Sequence, residues 1–227
     1  MKIKSENKII FISPKRIKYC IFPSKYCDYT QFKLSKIHPH AGIDRGVFEE
    51  DPKGYIKINN SNWDKKPGIL FSMLLEYKAL LNHYTGKENW KKSKFAERNV
   101  EYIKFNKNLL GKSKIKDAEY KKFKSVTRGF TNYNSFLHKR EKQIDNLFNS
   151  ILKKGIYTNN TSKKDNILND NVSVVLTKND EIYFNNRGHH RLAIAKILKL
   201  NKIPIKIIVA KNKKKIEDFY KITKDYK

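Results

Sequence analysis

The segment EIYFNNRGHHRLAIAKILKLNKIPIKIIV spans Glu181–Val209. It predicts a strand, a glycine turn, an amphipathic helix and a second strand. In the helix, Leu192, Ala195 and Leu198 share one side, with Ile194 and Ile197 nearby. The segment IPIKIIVA is almost continuously apolar, as a strand covered on both faces must be. Immediately upstream, VSVVLT and EIYF flank KND, a hairpin signal. The turn that opens the helix is Gly188-His189-His190-Arg191. Folding alone does not require three polar side chains there.

A helix N-terminus leaves backbone N–H groups without intrahelical partners and carries a partial positive charge. A preceding glycine lets the backbone approach a ligand closely, and an arginine on the first turn adds a bidentate fork. Gly188, His189, His190 and Arg191 are therefore the candidate phosphate-binding residues. The competing reading is an ordinary turn with a solvated arginine.

Moving outward, Ile144, Leu147, Phe148, Ile151 and Leu152 recur at helical spacing before Gly155. A further helix is expected from Pro67-Gly68 to Gly86, carrying Leu70, Met73, Leu74, Tyr77, Leu80, Leu81 and Tyr84. A weaker one is expected over 94–106, with Ser93 as its N-cap. The first 62 residues read as an irregular segment with short strands at KIIFIS and GYIKIN. The fold class is α+β: an irregular segment 1–62, a helical region 63–137, and a C-terminal unit with a basic tail at 138–227, within one compact domain overall.

The formal net charge of +28 invites a nucleic-acid reading, because a polyanion would bind through phosphate contacts. Of the 50 basic residues only 7 are arginine, and the lysines are spread along the chain without forming one block. Lysine, asparagine and isoleucine share A/T-rich codons, so part of the charge reads as composition bias. Hydrophobic residues at 39% supply a core, and no apolar run approaches the roughly 20 residues of a membrane span. The N-terminus carries no apolar signal region, and Cys20 and Cys27 are too few for a disulfide framework. The expectation is a reduced, cytoplasmic protein without a membrane partner.

NNRGHHRLAIAKILKLNKIPIKIIV resembles the ParB/sulfiredoxin superfamily, whose members carry a strand, a Gly-x-x-Arg or Gly-x-His-Arg turn, a helix with small residues, and an Ile-Pro strand. Gly188, Arg191 and Ala195 fall on the ParB pattern; Gly188, His190 and Arg191 fall on the sulfiredoxin pattern. This match covers residues 172–209. A Trp-Asp element before a helix, SNWDKKPGILFSMLLEYKALL, and REKQIDNLFNSILKKGI before the hairpin extend the resemblance to one stand-alone branch over about 56–210. The resemblance implies a nucleoside di- or triphosphate with Mg²⁺, or another phosphorylated small molecule, at the turn. Phosphotransferase or NTPase chemistry is the activity that such a ligand would serve.

The departures narrow this. His189 stands where sulfiredoxins place their cysteine, so sulfinic-acid reduction is not expected. Arg187 stands where relatives often place an acid. With 18 residues after Val209, the partition-clamp domains are not expected either. Phosphotransfer needs a base. Asp64 and His190 are the catalytic candidates, with Asp180 and Glu181 as further carboxylates, and Trp63 as a stacking residue. For Asp64 the competing reading is helix capping; for Trp63 it is core; for Asp180 and Glu181 it is a solvated turn. Arg140 and Asp145 read as a charged helix face. No metal-ligand set is assigned: His38-Pro-His40 is a weak signal, and Asn106 breaks the P-loop spacing before Gly111-Lys112-Ser113. Two other functions stay open: a DNA-binding protein or ParB-like nuclease acting through the lysine-rich surface, and a non-catalytic interaction module.

Overall fold

Apolar runs with a period of two become strands of two sheets. The computed structural model describes residues 2–4, 8–21, 48–50, 55–58, 64, 69–97, 133–155, 171–185 and 187–211. Strands β1 (Lys2–Lys4), β4 (Phe48–Glu50) and β5 (Tyr55–Ile58) form a three-stranded antiparallel sheet in the order β1-β5-β4. The main sheet has six strands in the order β2-β9-β7-β8-β3-β6. It combines β2 (Lys8–Ile12), β3 (Tyr19–Cys20) and β6 (Ile69–Leu70) with β7 (Val172–Leu176), β8 (Ile182–Phe184) and β9 (Ile203–Ala210). The fold is mixed α+β, and N-terminal strands complete the sheet that the C-terminal stretch begins.

The hairpin and the Ile-Pro strand form as their patterns predict. β7 pairs antiparallel with β8 through Val174↔Phe184, and parallel with β9 through Val172↔Ile205. β9 lies between β7 and β2, which explains its near-continuous apolar character. The β7–β9 register shifts after Val174↔Ile207, so that Val175 opposes Val209. That irregularity places Ile208 and Val209 in one cluster with Val175 and Tyr183, while Ile207 packs on the opposite face.

Three α-helices frame the sheet among the described residues. α1 is Leu75–Tyr84, α2 is Tyr133–Lys154, and α3 is His189–Ile197. α3 lays Leu192, Ala193 and Ala195 on Val172, Val174, Leu176, Ile203 and Ile205 of the sheet. Its opposite flank carries Ile194 into contact with Leu147 and Ile151 of α2. α1 also packs on α3, and Leu80 of α1 and Ile144 of α2 join the same core as the sheet. Gly155, at φ 71, ends α2 with its N–H donating to the Ile151 carbonyl at 2.8 Å. Leu152, expected on the apolar stripe, is 58% exposed.

The expected helix from Pro67 is corrected. Ile69–Leu70 instead pairs with β3, a 3₁₀ turn spans Phe71–Met73, and α1 begins at Leu75. Leu70 and Leu74 both hold ψ 128°, and the Phe71 N–H donates to the Lys18 carbonyl at 2.8 Å. Tertiary pairing overrides local periodicity here. Of the weaker helix expected over 94–106, residues 94–97 are helical. Cys27, His38, His40, Trp63, the 111–113 segment, the loop before β7 and the tail beyond residue 211 lie outside the described residues. Among the described residues, no helix is long and apolar enough to cross a membrane.

Lys196 of α3 gives the fold a pH signature. Its Nζ donates to the Pro14 carbonyl at 2.7 Å and lies 5.6 Å from the centre of the Phe71 ring. Burial lowers this ammonium to about 8 from an ordinary value of 10.5, partly opposed by Cys20. Between those values the unfolded chain holds a proton that the folded chain has released, so stability rises with pH across that window. Urea melts from pH 7.5 to 10.5 are expected to lose about 1 kcal/mol of that rise in Lys196→Met, allowing for solvent around a half-buried amine. An identical pH slope in the variant would remove this assignment.

Candidate functional site

The site grows from Gly188, which caps α3 in the left-handed region at φ 77, ψ 24. The turn is tied to β7: Ser173 N–H donates to the Arg187 carbonyl at 3.0 Å, and Asn185 N–H donates to the Ser173 carbonyl at 2.8 Å. A Cβ at position 188 would stand 2.8 Å from Val172 Cα and 2.9 Å from Val172 N, so the backbone itself demands glycine. Gly188 brings no side-chain cap to this helix end, and no acid lies in its own first turn. The N-terminal partial charge of α3 is therefore met from another element.

That element is α1. Glu76, in its first turn, places Oε1 3.0 Å from His189 Nε2 and 2.7 Å from His190 Nε2. The two imidazole rings lie 4.1 Å apart, tilted at 42°. His189 and His190 are consecutive in the chain, yet both reach one carboxylate oxygen because α1 packs against the start of α3. α2 supplies Arg140, which acts electrostatically on Glu76 and on His190. Its Nε is buried and has no hydrogen-bond partner among the described residues.

Burial opposes ionisation of Glu76, but His189 and His190 hold its carboxyl well below the usual carboxylate range. Burial pushes His190 down to about 3, with His189 and Arg140 adding to the shift and Glu76 opposing it. Burial also draws the Arg140 guanidinium below its ordinary value, against the pull of Glu76. Burial thus disfavours the charged form of His190, while the two histidines favour the ionised form of Glu76.

The turn residues converge, but not as an exposed anion cradle. His190 and Arg191 are buried, at 4% and 8% exposure, whereas Arg187 is exposed and His189 partly so. The three carboxylates expected near the turn lie at the other end of the hairpin. Gly188 abuts Val172, where β7 begins; Asp180 and Glu181 form the turn beyond Leu176, where it ends. Asp64 is there too: its Oδ1 accepts from Lys211 Nζ at 2.6 Å, and Lys211 N–H donates to the Leu176 carbonyl. The length of β7 from Val172 to Leu176 is about 13 Å at about 3.3 Å per residue. Trp63 falls outside the described residues.

Glu76 and Arg140 are the site residues that sequence reasoning missed. One signal was present for Glu76: it is an acid four residues before Leu80, which is fully buried, on the face α1 turns inward. Arg140 carries no such signal, since its partners lie on other elements. No protein-family model, curated protein or solved structure matches the chain.

Proposed function

We propose that the chain is a ParB/sulfiredoxin-like protein that binds a nucleotide or another phosphate at the N-terminus of α3, with Glu76 as the carboxylate of a phosphotransfer or NTP-hydrolysis reaction. The observation that carries this reading is Glu76 Oε1, held 3.0 and 2.7 Å from two histidines at a helix end whose cap residue is glycine. Phosphoryl transfer depends on placed positive charge and a proton acceptor more than on covalent chemistry. The first-turn amides and the helix dipole of α3 attract a phosphate. The buried Arg140 Nε offers a donor whose partner is missing among the described residues. His190 holds Glu76 in place from the buried side, while His189 lines the more open side.

In the transfer reading, Glu76 takes the proton of the acceptor hydroxyl as its oxygen attacks the terminal phosphorus, and the nucleoside diphosphate departs with the bridging oxygen. Mg²⁺ would neutralise phosphate charge; Glu76 is the one oxygen ligand of the cluster for it, which suits an ion that otherwise relies on phosphates and water.

The test is a thermal-shift panel with ATP, ADP, CTP and inorganic phosphate, each with Mg²⁺, on wild type and Arg191→Ala. A ligand at about 100 times its Kd stabilises by about 2.7 kcal/mol, which is roughly 5–10 °C for a chain of this size. At least one member is expected to give such a shift in wild type, and the shift is expected to shrink in Arg191→Ala relative to that variant's own unliganded melt. No response across the panel, or the same shift in both proteins, contradicts the proposal.

A further inference from the structure

We propose that Glu76, His189 and His190 form a site for one divalent transition-metal ion of the zinc class, with its remaining coordination position open to solvent. This goes beyond the phosphate reading and does not depend on it. The donor set is two imidazole nitrogens and one carboxylate oxygen, all within 4.8 Å of one another. Two nitrogens with one oxygen suit zinc, cobalt or iron, whereas Mg²⁺ prefers oxygen alone. Ligands at about 2.0–2.1 Å from a tetrahedral ion sit about 3.3 Å apart. The separations from Glu76 Oε1 to the two Nε2 atoms, 3.0 Å at His189 and 2.7 Å at His190, are therefore short by about 0.3 and 0.6 Å. Adjustment of Glu76, 19% exposed and common to both contacts, together with His189, 27% exposed, opens the two separations.

The burial gradient sets which side is open. The His190 side chain is 5% exposed, Glu76 19% and His189 27%, so solvent approaches past His189. Three protein ligands with one accessible position are the arrangement of a reactive zinc site, where structural sites are closed by four. Charge specifies what fills that position. Glu76 contributes one negative charge and the neighbouring Arg140 offsets it, so a dication leaves an excess of positive charge. An anionic oxygen, from hydroxide or a phosphate, balances it. The pair of adjacent histidines is also what distinguishes this turn: a phosphate cradle needs the glycine and the amides, and it does not need two imidazoles aimed at one carboxylate.

The full chain, stripped with EDTA and dialysed, is titrated with Zn²⁺ alone by calorimetry, and with Co²⁺ by visible absorption. One ion per chain is expected, and Co²⁺ is expected to show the intense ligand-field bands of a low-coordinate site. His189→Asn and Glu76→Gln are each expected to weaken Zn²⁺ binding at least about 100-fold and to remove the Co²⁺ bands. His189 lies on the open side, so its variant reports even if loss of the Glu76 charge impairs folding. Absence of a stoichiometric ion in wild type overturns the inference, and so does unchanged affinity in His189→Asn, which would place the ion elsewhere. The same chain titrated with nucleotide and Mg²⁺, without zinc, reads the phosphate proposal separately. A nucleotide response without a zinc response removes the metal site alone; the converse removes the phosphate reading alone.

Discussion

Gly188→Ala is expected to destabilise the protein by about 2–4 kcal/mol, a large effect for one methyl group. Two independent terms add. The residue holds φ 77, where an L side chain costs about 1 kcal/mol relative to glycine. The added Cβ would also meet Val172 Cα at 2.8 Å, Val172 N at 2.9 Å and Asn171 O at 3.0 Å. These are backbone atoms at the head of β7, which is paired on both sides and cannot yield as a flexible side chain would. Relief of that overlap costs about 1–3 kcal/mol more. Gly86 and Gly155 provide internal controls: their φ values are 74 and 71, and a Cβ at either meets nothing within 4 Å. Alanine there is expected to cost only about 1 kcal/mol, the backbone term alone. Equal losses at all three positions in urea melts would show that the contact with β7 does not matter.

Glu76→Ala is expected to cost about 3 kcal/mol in stability. It removes the one acid that faces His189, His190 and Arg140 among the described residues, and leaves a buried guanidinium beside His190 without its counter-charge. Breaking a buried charge cluster from one side typically costs about 3–5 kcal/mol. The partly exposed pair of Lys91 with Glu141, with the lysine side chain 37% open to solvent, offers the contrast. Glu141→Ala is expected to change stability by less than about 1 kcal/mol, as solvent-screened pairs do. Chemical denaturation of the two variants beside wild type measures both. A Glu76→Ala loss no larger than that of Glu141→Ala would mean that Glu76 is not the electrostatic centre of α1, α2 and α3.

The C-terminal half of the fold was legible because its signals are local. The apolar runs of β7 and β9, the KND turn and the spacing of Leu192, Ala195 and Ile194 each follow from a few consecutive residues. Gly188 was legible as the turn before the helix, but its steric reason was not: the sequence pointed to close approach of a ligand, whereas the atoms that exclude a Cβ are the backbone of Val172 and Asn171. β3 and β6 were not, because two-residue strands exist only through pairing with β8 and with each other. The true start of α1 was hidden for the same reason. Leu70 and Met73 fit the helical period but are 42% and 36% exposed in the extended and 3₁₀ segments before it. The site divided along the same line. Its histidines were visible as an unusual turn, whereas Glu76 is 113 residues from His189 and meets it only through the packing of α1 on α3. Asp64 stood beside a helix start in the sequence but pairs with Lys211 past the end of β9. Proximity to a helix N-terminus in sequence did not decide which carboxylate reached the turn; helix packing did.

The proposed phosphate site lies where α1 brings Glu76 to the start of α3, and a crystal structure of the full chain with ADP and Mg²⁺ would test it. A phosphate oxygen is expected within hydrogen-bonding distance, about 3 Å, of the amides that follow Gly188. Nucleotide bound at another place on the protein, with Glu76 still resting on His189 and His190 alone, would contradict it.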